Sequence, residues 1–442
     1  MGGRRSSSSG RLVRPATTLA VLCATVCALA VPARAQDAQP AAAAPQDAAK
    51  PPRFQFRGDH PTLRVGDLEV VFRARLETAW RLNSPLVDGI DGDWRRRRVQ
   101  VEGRYKRLEY EVSQEFGDPV EPERDAFVNM RFSRRFELQG GRFKIPFGRD
   151  ALASGANLDF VSRSLLGRTL APGRDVGVMA HGRLSDRLTY DAGYFLHDGD
   201  NSRSPVTEGG DHAVAGRIEF QPFTDRKNSR LEPLEIGVAV LRSQIDDALG
   251  LRGQTVFGDS DFFDRVFADG RRLRLGADAE WSRGPFGLSG EFARTWDARD
   301  AMGLEGEDLP GTGAIGWYVS GAWVVTGERK RARVEPRKSV LAGGLGAFEI
   351  AARLERLGFD AVVYPGGVMH GPRPEDLTAN SIWVSTLGAT WFVHNRVKLQ
   401  GNLVRESVSD PARSPAPREN GRFTSGIINR FANYFHLNRG FA

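Results

Sequence analysis

An alternation of apolar and charged side chains marks residues 67–81, which read DLEVVFRARLETAWR. Even positions carry mostly apolar residues, from Leu68 to Trp80, while odd positions carry mostly charged residues such as Glu69 and Arg73. Successive side chains of a β-strand point to opposite faces of its sheet. The stretch therefore predicts a strand with one apolar face and one charged face.

The same alternation recurs along the rest of the chain. Most of these segments run 9–15 residues, which is longer than the ~5–6 residues of a usual globular strand. A tilted strand of about 9–11 residues is long enough to cross a bilayer. We count sixteen candidate strands, at 67–81, 94–105, 108–116, 125–133, 135–143, 174–184, 187–197, 211–221, 233–243, 271–282, 286–297, 312–325, 345–357, 380–392, 396–406 and 424–438.

The connections between these segments alternate in length. Those after even-numbered segments are mostly very short, as at 106–107, whereas those after odd-numbered segments are mostly long; 222–232 and 326–344 are long exceptions. Short turns at one end and long loops at the other are typical of an outer-membrane barrel. We therefore predict an all-β fold, a single transmembrane antiparallel β-barrel of about 16 strands with a water-filled lumen.

A soluble protein can show the same alternation, because a β-sandwich or propeller packs its apolar faces inward. The pattern alone leaves open a secreted soluble β-protein that binds or hydrolyses polysaccharide. A barrel with a structural role and no conduction is a further alternative. Strand length and the asymmetry of the loops favour the transmembrane barrel.

The N-terminal segment is predicted to be a targeting signal. Basic residues precede an apolar stretch from Ala16 to Val31, and Ala33-Arg34-Ala35 provides a small-residue cleavage motif. These features indicate a signal peptide over 1–35, cleaved between Ala35 and Gln36, rather than a membrane anchor. We expect a flexible Ala/Pro-rich lead-in over 36–64 and the barrel domain over 65–442, in the outer membrane of a Gram-negative-type bacterium.

The charge of the whole chain overstates the basicity of the mature protein. The formal net charge is +7, but the signal holds five arginines and no acidic residue, which leaves 57 basic against 55 acidic residues. Both cysteines, Cys23 and Cys27, lie in the signal, so a disulfide framework is excluded. We find no catalytic motif, and we expect no enzymatic activity, no cofactor, no metal site and no nucleic-acid partner.

Two regions of the chain resemble the phosphate-selective porin O and P family. The matching pieces of the first region are Asp125-Ala126-Phe127-Val128, Gly141-Arg142-Phe143-Lys144-Ile145-Pro146-Phe147-Gly148, Leu158-Asp159-Phe160-Val161-Ser162-Arg163-Ser164-Leu165 and Pro172-Gly173-Arg174-Asp175-Val176-Gly177-Val178. Those of the second are Ser320-Gly321-Ala322-Trp323, Thr326-Gly327-Glu328-Arg329 and Gly346-Ala347-Phe348-Glu349-Ile350-Ala351-Ala352-Arg353-Leu354. The resemblance extends from about residue 60 to the end.

The resemblance implies a sixteen-stranded outer-membrane porin, usually a homotrimer in contact with membrane lipid, that passes phosphate, pyrophosphate or other small anions. It also implies that the third long loop, here 144–173, folds into the lumen and forms the constriction together with basic residues of the wall. The loop candidates for anion binding are Lys144, Arg149, Arg163, Arg168 and Arg174.

Strand parity adds five arginines that would face the lumen: Arg73, Arg75, Arg96, Arg98 and Arg131. Opposed charges that only brace the barrel wall are an alternative role for them, as they are for Arg163 and Arg174.

Overall fold

The computed structural model describes residues 53–57, 60–84, 91–117, 123–199, 212–225, 229–256, 261–367, 373–410 and 427–437. Sixteen long strands make up most of this part. They are β1 (Leu68–Ser84), β2 (Asp91–Tyr105), β3 (Leu108–Glu115), β4 (Glu123–Ser133), β5 (Phe136–Lys144), β6 (Arg174–Ser185), β7 (Leu188–Phe195), β8 (Ala213–Phe220), β9 (Glu235–Leu249), β10 (Phe267–Arg283), β11 (Phe286–Arg299), β12 (Leu309–Val324), β13 (Ala347–Phe359), β14 (Asn380–His394), β15 (Val397–Val408) and β16 (Ile427–Leu437).

The sixteen strands form one closed antiparallel ring. Each pairs with its neighbours in chain order, from β1 with β2 through to β15 with β16. The last strand then returns to the first, with Leu437 opposite Leu76 and Asn429 opposite Ser84. Closure leaves no sheet edge, which is what a β-structure in hydrocarbon needs to satisfy its backbone groups. The prediction of an all-β barrel of about 16 strands is confirmed.

A short hairpin precedes the barrel. Its strands, Arg53–Arg57 and His60–Val65, pair with each other, and the second pairs with the start of β1. These residues fall in the lead-in predicted over 36–64, so the prediction is wrong for that part. Alternation at Phe54, Phe56 and Leu63 is the local signal for strands that the Pro-rich composition upstream obscured. The predicted signal peptide lies outside the described residues.

The barrel wall is apolar outside and polar inside. On β6, Val176 and Val178 are exposed on the outer face, while the alternate residues Asp175 and Met179 are buried on the inner face. Buried inward arginines and acids recur on the other strands and pair across them, as Arg217 on β8 does with Asp278 on β10. No helix in the described residues is long and apolar enough to cross a membrane.

Aromatic pairs lie on the outer face at the end of the barrel with the short turns. Phe286 stacks on Trp323 with ring centroids 6.2 Å apart, and Phe348 stacks on Trp391 at 5.7 Å. Aromatic girdles of this kind mark the edge of the apolar band in outer-membrane barrels. We call this end of the barrel the short-turn end and the opposite end the long-loop end.

Candidate functional site

The third long connection, 145–173, folds into the lumen as the resemblance implied. It contains two short helices, α1 (Arg149–Leu152) and α2 (Leu165–Thr169), and a 3-10 turn at Gly155–Asn157. Ser164 caps α2, because its hydroxyl accepts a hydrogen bond from the backbone N–H of Gly167 at 3.0 Å. The sequence thereby forms a compact plug rather than an extended surface loop.

Side chains of the barrel wall hold this plug through its backbone. Glu291 on β11 accepts the N–H of Asp150 at 3.1 Å, and Glu355 on β13 accepts the N–H of Leu165 at 2.6 Å. Asn402 on β15 accepts the N–H of Val161 at 2.7 Å. Since a buried N–H without an acceptor is costly, these inward polar residues fix the height of the plug in the lumen.

The described parts of the fifth long connection, 250–256 and 261–266, also enter the lumen, which the sequence did not predict. Its two-stranded ribbon pairs Gly253–Gln254 with Asp261–Phe263. Phe263 is 2% exposed and stacks on Phe359 of β13 with ring centroids 4.2 Å apart. The ribbon, α2 and inward apolar residues such as Val384 belong to one hydrophobic cluster. This cluster extends along the inner wall from β5 to β15, with members such as Phe143 and Leu241 as well as Val384. The adjacent aromatic pair at 262–263 was the signal for the ribbon in the sequence.

Replacing Phe263 by alanine is expected to destabilise the folded barrel and widen the pore. Loss of a fully buried phenylalanine costs about 3–5 kcal/mol, and the ribbon that it holds lies in the lumen. Thermal unfolding followed by circular dichroism measures the first effect, and single-channel conductance measures the second. An unchanged conductance in a clearly destabilised variant would show that the ribbon does not border the ion path.

The inner wall at β1 and β2, together with the adjoining part of the plug, is basic. Arg75 on β1, Arg96 and Arg98 on β2, and Lys144, Arg163 and Arg174 at and around the plug approach one another, and we call these six residues the basic cluster. Among the described residues they form ion pairs with three carboxylates, of Glu77, Glu115 and Asp125. Counting ion pairs alone, six cations against three anions leave a formal excess of three positive charges; Asp150 also lies near Arg163.

The basic cluster lies against the plug at Gly155. A Cβ atom added at Gly155 would lie 3.0 Å from Nη2 of Arg75 and 3.4 Å from Nη1 of Arg96. Arg163 donates to the carbonyl of Ala153 at 2.6 Å. Burial lowers the pKa of Arg163, and the like charges of Arg96 and Arg174 lower it further, whereas the nearby carboxylate of Asp150 raises it. The result is a pKa of about 10, so Arg163 stays charged at neutral pH.

Three candidate residues of the basic cluster also have clear bracing contacts. Lys144 donates to the carbonyls of Ala151, Leu152 and Ala153 at 2.7, 2.9 and 3.1 Å and so caps the C-terminus of α1. Arg174 makes a bidentate pair with Asp125 at 3.0 and 2.8 Å. Arg98 lies 3.3 Å from Glu115.

The remaining candidates lie elsewhere. Arg149 points away from the basic cluster, toward β9 and β10, where it pairs with Glu235 at 2.5 Å and with Glu280. Arg73 pairs with Glu102 at 3.0 Å, and Arg131 pairs with Glu109 and Glu137 nearer the short-turn end. Arg168 lies in the last turn of α2. Arg73 and Arg131 therefore have the bracing geometry that was left open for the strand arginines. Arg149 is braced as well, for which the sequence held no indication.

The connection between β12 and β13, residues 325–346, reaches the plug from the short-turn end. Lys330 is nearly buried, and its Nζ donates to Asp159 of the plug at 2.5 Å and to Glu349 of β13 at 2.9 Å; we call these three residues the Lys330 bridge. Burial disfavours its charge, but both carboxylates raise the pKa of Lys330 above its ordinary value. In the sequence, the unusual length of 326–344 was the signal for this connection.

A cavity of about 400 Å³ lies between the plug, the inner wall and residues 330–332. Its lining carries both signs of charge, with Arg149, Lys330 and Arg353 facing Glu235 and Glu280. Within the described ranges, no group of three or more His, Cys, Asp or Glu side chains is arranged to hold a metal ion. Charged side chains of both signs in the lining suit passage of hydrated solutes.

Comparison with solved structures agrees with this architecture. The anion-selective porin from Comamonas acidovorans matches with a TM-score of 0.50 at 13% identity, over 84% of this chain and 99% of that one. The outer membrane channel DcaP of Acinetobacter baumannii matches with a TM-score of 0.52 at 10% identity, over 84% and 97%. A trimer form of OmpT from Vibrio cholerae matches with a TM-score of 0.52 at 12% identity, over 84% and 99%.

Family comparison covers most of the barrel. No curated protein matches the chain significantly. The family model described as phosphate-selective porin O and P matches residues 86–426, which include both regions of resemblance in full. Together with the closed barrel, this match indicates a channel. The chain belongs to the phosphate-selective porin O and P family and is an outer-membrane porin, a passive diffusion channel.

Proposed function

We propose that this porin prefers anions, and that phosphate and pyrophosphate are among its permeants. The observation that carries the proposal is the excess of three positive charges in the basic cluster, beside the plug. A narrow channel strips part of the hydration shell from an ion, and guanidinium groups replace it for an anion while they repel cations. The planar fork of arginine suits the oxygens of phosphate.

The arrangement favours conduction over tight binding. Carboxylates balance half of the positive charge in the basic cluster. A permeating anion therefore meets several sites of moderate affinity rather than one site of high affinity. Conduction requires such weak, multiple binding because the ion must also leave. The name of the Comamonas acidovorans relative, an anion-selective porin, supports the same preference.

We further propose a homotrimer surrounded by outer-membrane lipid, with no enzymatic activity. One structural relative is recorded in a trimer form. Cross-linking of the folded protein in detergent, followed by electrophoresis without heating, should give a trimer band that converts to monomer on boiling. A monomer as the only species under both conditions would contradict the trimer.

Planar bilayer recording tests the channel and its preference together. The folded protein should give discrete conductance steps. In a KCl gradient, the reversal potential should have the sign of the chloride equilibrium potential. Adding phosphate to both chambers should reduce the chloride current, because both anions use the basic cluster. A reversal potential on the potassium side would refute the anion preference, and a folded, β-rich protein without steps would refute conduction.

A further inference from the structure

On strands β9–β15, five arginines point outward, away from the lumen, in the half of the barrel nearer the long-loop end. The alternation of burial shows their direction: Arg242 is exposed between the buried residues Leu241 and Ser243, and Arg271 is exposed beside the buried Arg272. We call these five residues the arginine rim: Arg242 on β9, Arg271 on β10, Arg294 on β11, Arg356 on β13 and Arg405 on β15.

The arginine rim lies where the apolar outer band ends. On β11, exposed Phe286, Leu288 and Phe292 lead to Arg294, and on β9, exposed Ile236, Val238 and Val240 lead to Arg242. The same order occurs on the two other strands of the arginine rim that run from the short-turn end to the long-loop end. On β13, exposed Phe348, Ile350 and Leu354 lead to Arg356, and on β15, exposed Leu399 and Leu403 lead to Arg405.

These apolar runs set the height of the rim. Six to eight residues span about 20–27 Å along a strand, and strand tilt makes the height somewhat smaller. An outer-membrane barrel has an apolar band about 25 Å tall. Since aromatic residues mark the short-turn edge of this band, the arginine rim marks its other edge, at the level of the lipid headgroups.

Two rim arginines are placed to share one ligand. Arg271 lies opposite Gln244, two residues beyond Arg242 on the neighbouring strand. Such diagonal neighbours on one face are about 7–8 Å apart, which lets two long side chains reach the same anion. Among the described residues, neither Arg242 nor Arg271 has a carboxylate partner, whereas Arg294 pairs with Asp360. Neither guanidinium of the Arg242–Arg271 pair is therefore held in an ion pair within the described residues.

We propose that the arginine rim, centred on Arg242 and Arg271, binds the phosphate groups of an anionic lipid in the outer leaflet. An arginine on the lipid face is costly at the bilayer midplane but costs little near the interface. At the interface a phosphate headgroup supplies the countercharge, and guanidinium pairs with it bidentately. Trp383, 5.6 Å from the Arg356 guanidinium, supplies an aromatic surface beside the same headgroups.

Lipid retention by the folded full-length protein in detergent tests this proposal. Diphosphoryl lipid A, a glycolipid with two phosphates, is added before size-exclusion chromatography, and bound lipid is quantified by mass spectrometry. The wild type should retain it, and R242Q/R271Q should retain at least fivefold less. The wild type should also retain at least fivefold less dephosphorylated lipid than diphosphorylated lipid. This second comparison uses only wild-type protein and therefore does not depend on the folding of a variant.

The control variant R134Q/R135Q removes two exposed arginines at the short-turn end. It should retain the diphosphorylated lipid like the wild type, and inorganic phosphate at the same concentration should not displace the lipid. Equal retention of both lipids, equal retention by R242Q/R271Q in a heat-modifiable barrel, or an equal loss in the control would each overturn the proposal. Displacement by inorganic phosphate would show that free phosphate, rather than lipid, is the ligand of the pair.

Discussion

Replacing Arg96 and Arg163 by glutamate should change the channel from anion-preferring to cation-preferring. Both residues belong to the basic cluster, and their reversal changes its formal excess from +3 to −1. A unit charge about 5 Å from a permeating ion contributes ~3 kcal/mol at an effective dielectric constant of 20. Since ~1.4 kcal/mol is a factor of ten, the anion-to-cation permeability ratio should fall by more than tenfold even after partial screening.

The reversal potential in a KCl gradient measures this change. R96Q/R163Q, which leaves an excess of +1, should reduce the anion preference without inverting it. R134E/R135E changes the charge by the same four units in an exposed turn, where salt screens charges beyond about 8–10 Å, and should leave the reversal potential close to the wild-type value. If R96E/R163E keeps the wild-type potential in a folded barrel, ions do not pass the basic cluster.

The strands could be predicted from the sequence because their environment imposes the pattern. Lipid on one side and a wet lumen on the other force a period of two, and this period is visible within each strand, as it is at 67–81. The inserted segments follow no such local rule. The ribbon at 250–266 and the connection at 325–346 are placed by contacts with residues far along the chain, such as the Lys330–Asp159 bond across 171 positions.

The candidate site, like the fold, could be predicted from the sequence only in part. Residues 142–174 hold six basic residues against two acidic ones, and this count singled out the basic residues of the loop. The loop does lie beside basic residues of the wall, on β1 and β2. The count could not distinguish Arg163, which lies beside other arginines, from Arg149, which two glutamates neutralise. Those glutamates lie on β9 and β10, so the functional difference between two arginines of one loop is decided by strands that close the barrel much later in the chain.

Replacing Lys330 by methionine should both destabilise the barrel and loosen the plug. The change leaves Glu349, which is 2% exposed, as a buried carboxylate without its lysine partner. Breaking a buried ion pair from one side costs about 3–5 kcal/mol. It also frees Asp159, the plug residue that Lys330 holds from the short-turn end, so single-channel current should become noisier and conductance should rise.

A second variant separates these two effects. In K330M/E349Q the buried charge is gone on both sides, and removal of both partners of a buried pair is far less costly than removal of one. Thermal stability should therefore recover most of the loss, while the plug stays untied because Asp159 still lacks its lysine, and the current noise should persist. If the noise disappeared together with the instability, the Lys330 bridge would stabilise the wall without restraining the plug. Persistence of noise at restored stability would instead show that a connection from the short-turn end holds the constriction of this porin in place.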